Sequence, residues 1–276
     1  MRSAWYLGRG TARGTWRAIL AVAVVGGLLV AVALAALAGA RRTDTAYGRY
    51  LTASHASDAL INVPGRLPGM PLLKPIQLIS SLPGIASSAA YVGMNAFPVV
   101  HGKPDLAFLT NGMNASLDGL YFRQDTMTVI AGRLPPVAAT RQIAITPRIA
   151  DLFRVGVGGM VTYRFVSQDP HGPAPVTRSF RVAAIVDVPP VLVDQADENQ
   201  GAVLPPGATR QLLAYYEYAW VDVRLTRSAA GVSALQDELA QLASRLQPRI
   251  DAATHHHGGV LSFPLGRTDI LQAQVQ

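Results

Sequence analysis

Two groups of residues in this sequence have types and spacings that could support chemistry. Ser54, His55 and Asp58 supply a nucleophile, a general base and an acid within one short stretch. A catalytic triad needs a defined arrangement in space, which neighbours on one helix rarely provide. His255–His257 resemble a metal-binding cluster, but consecutive side chains diverge, so one ion could use two of them at most. A membrane-bound hydrolase that uses His55 or the histidine cluster stays open as a hypothesis.

Other catalytic and ion-binding patterns are missing from the sequence. Asp194, Asp197 and Glu198 lack the glycine and the spacing of a calcium-binding loop, which favours a solvated acidic loop. Lys74 and Lys103 both precede proline, so neither belongs to a phosphate-binding P-loop. The patterns H-E-x-x-H and G-x-S-x-G are also missing. We therefore predict that the protein is not an enzyme and has no catalytic residue, cofactor or metal site.

Residues 18–40 form one uninterrupted apolar segment, AILAVAVVGGLLVAVALAALAGA. As a helix the segment would span about 34 Å, slightly more than the hydrocarbon core of a bilayer. A cleaved signal peptide that ends at Ala38-Gly39-Ala40 is the alternative, but the apolar part of such peptides is usually only about 7–15 residues long. We predict a transmembrane helix at 18–40 that follows a cytoplasmic N-terminus at 1–17.

The positive charge of the chain is concentrated around this segment. The net charge is +7, and six of the 24 basic residues are arginines that flank the segment, which leaves 18 basic against 17 acidic residues elsewhere. A nucleic-acid-binding protein would carry its basic patch on the folded domain, so no nucleic-acid partner is expected. Arg41, Arg42 and Arg49 follow the segment, so the charge bias favours a cytoplasmic N-terminus only narrowly. The chain has no cysteine, which excludes disulfides and thiolate sites.

Small residues recur at every fourth position of the predicted helix and would lie on one of its faces. They are Ala23, Gly27, Ala31, Ala35 and Gly39. This spacing lets a second helix approach closely within a membrane. An alanine-rich segment could also produce the pattern by chance, so both interpretations stay open. We predict a helix–helix contact through these five residues.

The rest of the chain predicts a mixed α+β fold, in one domain or two lobes. We expect a membrane-proximal helical stalk at 41–63, an α+β domain at 64–267 that begins with a proline-rich irregular segment at 64–84, and the start of a truncated helix at 268–276. The strongest helical pattern is Ser228–Gln247, where apolar residues recur every three or four positions. Pro248 is expected to end that helix.

Short apolar or alternating runs predict the strands of this domain. Phe180–Val188 is nearly continuously apolar, which favours a central strand. Pro147–Phe153 predicts a short helix with proline at its first position. The other predicted strands are Ala89–Met94, Leu106–Leu109, Thr128–Ala131, Gln142–Ile145, Val161–Val166, Tyr218–Leu225 and Gly258–Phe263.

Several stretches together resemble one family. They are Trp16-Arg17-Ala18 before the apolar segment, AGARRTDTAY at 38–47 after it, IAGRLP at 130–135 with the following Val155-Gly156 and Val161-Thr162-Tyr163, and FRVAAIV at 180–186. In this order they resemble the N-terminal portion of bacterial ABC-transporter permeases of the FtsX-like/MacB-like family.

The resemblance implies a permease with a first transmembrane helix, a large extracytoplasmic domain and three further transmembrane helices. Similar proteins dimerise and are driven by a separate cytoplasmic ABC ATPase subunit. The N-terminus would be cytoplasmic and the domain would lie outside the cell membrane, where it binds cargo or partners or transmits an ATP-driven conformational change.

This chain departs from the family pattern because no second apolar segment of membrane length follows residue 40. We therefore expect a fragment, a truncated gene product, or a second permease chain that supplies the missing C-terminal half. The alternative is a stand-alone single-pass protein that binds envelope components or acts as a scaffold.

The apolar segment predicts that the full chain behaves as an integral membrane protein. Because the lipid interior solvates residues 18–40 better than water does, the chain should stay in the membrane pellet after extraction with alkaline carbonate. Immunoblotting with an antibody against residues 1–17 would check that the pelleted chain is uncleaved. Recovery of intact chain in the aqueous fraction would contradict the prediction.

Overall fold

The computed structural model describes residues 2–63, 67, 70–105, 113–167, 169, 171–188, 201–227, 231–254 and 261–266. The predicted strand Leu106–Leu109, the acidic residues Asp194, Asp197 and Glu198, the histidines His255–His257 and the predicted helix at 268–276 lie outside these residues. The chain divides into two units, Met1–Ala53 and Ser54–Gln276.

The first unit is one long helix, α1 (Arg2–Ala53). Its segment Ala18–Arg42 has a mean hydropathy of 2.8 and is the one described helix long and apolar enough to cross a membrane. The described apolar side chains of this segment are all exposed, for example Val22 and Leu29. A helix that satisfies its own backbone hydrogen bonds and exposes only apolar side chains suits a lipid environment.

The helix ends earlier than the sequence predicts. We expected a helical stalk at 41–63, but α1 ends at Ala53 and β1 (Ala59–Val63) follows within that range. His55 has a φ of 52°, a left-handed conformation that a continuing helix cannot accommodate. Ile61 and Val63 are fully buried, and their branched side chains suit a strand.

The second unit contains a mixed sheet in which twelve strands are described. Beyond β1 these are β2 (Ile85–Met94), β3 (Ala96–Val100), β4 (Lys103–Pro104), β5 (Met113–Ser116), β6 (Thr128–Gly132), β7 (Gln142–Ile145), β8 (Met160–Phe165), β9 (Val176–Asp187), β10 (Ala202–Leu204), β11 (Tyr216–Leu225) and β12 (Leu265–Gly266). Their order is β12-β1-β11-β2-β5-β10-β7-β9-β8-β3-β4, and β6 pairs with β9. The apolar helix followed by this sheet and its helices confirms the predicted α+β class.

Helices cover one face of the sheet. They are α2 (Leu73–Ser80), α3 (Pro147–Phe153), α4 (Pro206–Leu212) and α5 (Val232–Thr254). All four bury side chains in the larger apolar cluster, together with alternate residues of the strands, such as Ala90 and Val92 in β2 and Ile143 and Ile145 in β7. Side chains alternate between the faces of a strand, so the intervening residues point to the opposite face.

The opposite face is covered by the loop that joins β5 to β6, residues 117–127, which we call the cover loop. Leu120, Tyr121 and Met127 of the cover loop form a second apolar cluster with the intervening strand residues, among them Ala89 and Ala144. The smaller cluster therefore depends on a loop rather than on a helix.

Two helices differ from the sequence prediction. Within the segment 64–84, which we expected to be irregular, Leu73–Ser80 form α2, and its Ile76 and Ile79 are buried. Helix α5 continues through Pro248 to Thr254 instead of stopping at the proline. Ile250 lies one turn after the buried Leu246 and is itself buried, so the apolar stripe continues past the proline. This packing offsets the loss of the hydrogen bond that proline cannot donate.

The predicted strands in the middle of the chain agree well with the structure. Gln142–Ile145 and Pro147–Phe153 are confirmed as β7 and α3 at their predicted bounds. Strand β9 pairs with β7 on one side and with β8 and β6 on the other, which confirms a central strand. At the end of the chain the prediction was wrong, because Leu261–Phe263 are not in a strand and β12 follows at Leu265–Gly266.

Candidate functional site

Residues 54–58 connect the end of α1 to β1, and we call them the junction segment. Its first residues are bound to the cover loop by backbone hydrogen bonds. The amide of Thr126 donates to the carbonyl oxygen of Ser54 at 2.9 Å, and the amide of Asp125 donates to that of His55 at 3.4 Å. The cover loop therefore holds the chain directly after it leaves the helix.

The last residue of the junction segment is bound to strand β11. The Asp58 amide donates to the carbonyl oxygen of Val223 at 2.8 Å. The Leu225 amide donates to Oδ2 of Asp58 at 2.7 Å. Three residues of the segment, Ser54, His55 and Asp58, thus bind two other parts of the second unit, which fixes the path of the chain into the sheet.

Beneath the junction segment lie two buried carboxyl groups, Asp125 and Asp222, which we call the acid pair. Asp125 is 2% exposed and Asp222 is fully buried. The Ser57 amide donates to Oδ1 of Asp125 at 2.8 Å, and the Ser57 hydroxyl donates to Oδ2 of the same carboxyl. A buried carboxylate is tolerated only when such donors replace water, so Ser57 and Asp125 depend on each other.

Gln124 connects the acid pair to the neighbouring strand. Its Nε2 donates to the Ser57 hydroxyl and to the backbone carbonyl of Asp222, both at 2.8 Å. Its Oε1 accepts a hydrogen bond from the Ser87 hydroxyl at 3.0 Å. With the amide oriented in this way, three bonds hold the Gln124 side chain in one position.

Burial determines the protonation of the acid pair. It raises the pKa of Asp125 from 3.8 to about 6, although the hydrogen bonds from Ser57 oppose the shift. Burial also raises the pKa of Asp222 well above its usual value, and the neighbouring Asp125 raises it further. No hydrogen-bond donor reaches the Asp222 carboxyl oxygens within the described residues, so nothing replaces the water that an ionised Asp222 would need. The raised pKa of Asp222 therefore favours its protonated, uncharged form beside Asp125.

Tyrosines complete the surroundings of the acid pair. Burial raises the pKa values of Tyr91 and Tyr121, and negative charge on Asp222 raises that of Tyr121 further. The rings of Tyr91 and Tyr121 lie 5.8 Å apart. Tyr121 and Asp125 have φ values of 66° and 48°, so the cover loop is held in left-handed conformations that cost energy for residues other than glycine.

A surface cleft of about 430 Å³ opens beside Gln124. Its side chains come from the junction segment, β2, the cover loop and β11: His55, Ser87, Ser88, Ala89, Asp118, Gly119, Arg123, Gln124 and Arg224. Arg123 donates to the backbone carbonyl of Asp118. Neither Arg123 nor Arg224 forms a salt bridge with any residue that the structure describes. The cleft thus presents two guanidinium groups and one carboxylate to solvent.

The structure gives the residues singled out in the sequence a positioning role. Ser54, His55 and Asp58 all belong to the junction segment, where each binds the cover loop or β11 through its backbone or its carboxylate. Among the described residues, no three His, Asp or Glu side chains lie close enough to hold a metal ion. The predicted packing residues Ala23, Gly27, Ala31, Ala35 and Gly39 lie on the exposed part of α1, and their contact with another helix stays a prediction.

Sequence reasoning missed the acid pair. A signal for Asp222 was present, because this aspartate interrupts the apolar strand residues of AWVDVRL at 219–225. A charged residue in such a strand needs a partner or a proton. Asp125 gave no comparable signal, since it lies in a polar loop and is buried only by tertiary contacts.

Comparisons with known proteins do not identify a family for this chain. No family model matches the chain, and no curated protein matches it. Solved structures that resemble the chain include two domains of transporter proteins. The extracellular domain of the noncanonical ABC-type transporter YknZ from Gram-positive bacteria is 13% identical with a TM-score of 0.46, and the match covers 75% of this chain and 98% of that one. A domain of a permease protein from Porphyromonas gingivalis is 15% identical with a TM-score of 0.40, covering 79% and 95% respectively. Likeness at this level decides neither the family nor the function.

The acid pair predicts that the folded state loses stability as the pH rises. Because Asp125 has a higher pKa in the folded state than in the unfolded chain, the folded state binds more protons between about pH 4 and 6. The free energy of unfolding should fall by about 2–3 kcal/mol across this window, and further at higher pH as Asp222 is forced to ionise. Urea unfolding of the full chain in neutral detergent, followed by circular dichroism from pH 4 to 8, measures this.

The Asp222→Asn variant tests whether the acid pair, and not another ionisable group, causes this pH dependence of stability. The asparagine amide can donate to Asp125 without ionising, so the variant should be more stable than the wild type at pH 8 and should show a shallower pH dependence. Asp237→Asn, which changes an exposed acid on α5, is the matched control. An unchanged pH dependence in Asp222→Asn would mean that the acid pair does not set it.

Proposed function

We propose that this chain is the N-terminal part of an ABC transporter permease, with a non-catalytic extracytoplasmic domain that binds cargo or partners or transmits ATP-driven movement. The observation that carries the proposal is the junction segment. It begins the second unit directly after α1 in the chain and is hydrogen-bonded to the cover loop at one end and to β11 at the other. A displacement of the chain at Ala53 would therefore act on the cover loop and on β11.

The composition of the junction segment supports mechanical coupling. Flexible connections between domains are usually rich in glycine and are solvated. Here Ser54 is 5% exposed and Ser57 is 7% exposed, and the segment contains no glycine. A short, partly buried and hydrogen-bonded connection transmits displacement with little loss because few of its dihedral angles are free to absorb it.

The proposed setting is the cell membrane, with residues 1–17 in the cytoplasm and the second unit outside. The resemblance to FtsX-like/MacB-like permeases and the narrow charge bias around the apolar segment support this orientation. The chain has no P-loop, so the energy would come from a separate ABC ATPase subunit. A second permease chain, or the C-terminal half of the permease, would supply the remaining transmembrane helices.

Small residues on α1 would provide the contact with another membrane helix. Gly27 and Gly39 have open space where a Cβ atom would stand, so another helix could approach their backbone. Such contacts rely on van der Waals packing, which a larger side chain prevents.

Gly27→Ile tests this contact. The variant should weaken association of full-length chains in lipid vesicles by about tenfold, because the added side chain separates the two backbones. Förster transfer between donor-labelled and acceptor-labelled chains, followed during dilution with lipid, measures the association. Val25→Ile adds bulk at a position outside the small-residue set and should leave association unchanged. Equal loss in both variants would argue against a specific packing face.

Co-purification of partner subunits tests the proposal that the chain is part of an ABC permease. The full chain, expressed in its native host and cross-linked in membranes, should co-purify with a nucleotide-binding ABC subunit. The purified complex should hydrolyse ATP. Complexes that contain no nucleotide-binding subunit would contradict the assignment.

Ser57→Ala tests the coupling itself. The change removes the hydroxyl that binds Asp125 and should loosen the junction segment, so the ATPase rate of the complex should become less sensitive to the presence of the outer domain's ligand or partner. Assembly should be unaffected. Ser179→Ala removes a hydroxyl on the exposed part of β9 and serves as the control. Wild-type coupling in Ser57→Ala would show that the junction segment does not transmit movement.

A further inference from the structure

We infer that the cleft beside Gln124 binds an anionic group, a carboxylate or a phosphate, on a small ligand. The inference names a ligand class for the outer domain and rests on the proposed function for its biological setting. The volume of about 430 Å³ falls within the range of small-molecule sites, which runs from about 300 to 1,000 Å³.

The two arginines of the cleft define its chemistry. Arg224 projects from the sheet at β11, and Arg123 comes from the cover loop, so two separate elements each contribute one guanidinium. Neither forms a salt bridge with a described residue. A guanidinium presents paired N–H donors that match the two oxygens of a carboxylate or phosphate, and it stays charged at any physiological pH. Their charges act on Asp118 and Asp125, but neither guanidinium is taken up by a salt bridge, and two such groups in one concavity favour an oxyanion.

Asp118 is the one acid among the residues that line the cleft, and it does not balance the arginines. The Oδ1 atom of Asp118 accepts the backbone amide of Ala90 at 2.8 Å, which holds this carboxylate against strand β2. Arg123 donates to the backbone carbonyl of Asp118 rather than to its carboxylate. With two arginines and one aspartate, the lining carries a net positive charge.

The floor of the cleft is fixed before any ligand arrives. Three hydrogen bonds hold Gln124 in place, to Ser57, to the backbone of Asp222 and from Ser87. His55 and Gly119, both lining residues, have φ values of 52° and 132°. The conformation of Gly119 is open to glycine, whereas that of His55 is costly and has to be imposed by the folded structure, as is common at binding sites.

A ligand in the cleft would also act on the junction segment. His55 belongs to that segment and lines the cleft, and Gln124 binds the Ser57 hydroxyl from the floor. Arg224 lowers the pKa of Asp125 by its charge, so an anion that neutralises Arg224 would favour the protonated acid pair. Occupancy of the cleft would therefore act on the junction segment through His55, through Gln124 and through the protonation of Asp125.

Calorimetric titration of the full chain in neutral detergent micelles tests the inference directly and needs no ATPase. The probes are inorganic phosphate, citrate, and phosphatidylglycerol doped into the micelles, each at constant ionic strength. We expect saturable binding of at least one probe. Binding of phosphatidylglycerol alone would identify a lipid headgroup, and binding of citrate or phosphate would identify a soluble ligand, with either result supporting an oxyanion site.

Substitutions in and outside the cleft test whether the anion binds there. Arg224→Gln should weaken binding by at least about tenfold, because one charge-assisted pair is lost. Ser87→Phe should weaken binding by filling the cleft without changing its charge, with the thermal unfolding midpoint measured to check that each variant is folded. Arg164→Gln, an exposed arginine on β8, is the charge-matched control and should bind normally.

Two results would overturn the inference. The first is the absence of saturable binding of all three probes at millimolar concentration. The second is an equal loss in Arg164→Gln and Arg224→Gln, which would indicate attraction to the net charge of the chain. Neither result bears on the permease assignment, since that depends on co-purification with a nucleotide-binding subunit.

Discussion

The hydrogen bonds between Ser57 and the buried carboxyl of Asp125 hold together the point where the chain passes from its apolar helix into the sheet. Among the described residues no helix contributes to the apolar cluster of the cover loop, which is the smaller of the two. The position of the loop depends on these bonds and on those that Gln124 makes to Ser57 and to the backbone of Asp222. The junction segment, the cover loop and the cleft beside Gln124 are therefore parts of one hydrogen-bonded unit, and a change in one of them alters the others.

A fully buried carboxyl such as Asp222 is costly because low-polarity surroundings disfavour its charge. A leucine at this position would remove that cost but also the second carboxyl that lies beside Asp125. The two buried carboxyls instead have raised pKa values, about 6 for Asp125, beneath the segment that links the helix to the sheet. The buried acids lower the stability of the fold. They also make it sensitive to pH at the segment that joins the two units covalently.

Local patterns predicted much of the fold where they coincide with tertiary packing. Strand β7 and helix α3 were predicted at their bounds because each is short, apolar and delimited by proline or polar residues. The prediction of a stop at Pro248 was wrong because burial of Ile250 outweighs the local cost of proline in α5. The helical stalk was predicted to extend beyond the observed end of α1 at Ala53. The helical spacing of apolar residues before Ala53 gives no information about the strand that follows. Ala59–Val63 is recruited into the sheet by pairing with β11, some 160 residues later in the chain.

The sequence by itself determined the apolar segment at 18–40, the neutral charge of the remaining chain and the α+β class, because composition and short-range periodicity are properties of neighbouring residues. Only the tertiary structure decided that Ser57, Asp125 and Asp222 meet. They are separated by 68 and 97 positions, and no local pattern specifies which loop covers which face of a sheet. The two arginines of the cleft are likewise brought together by long-range strand pairing and by the path of the cover loop, whose left-handed residues are imposed by packing rather than by their own preferences.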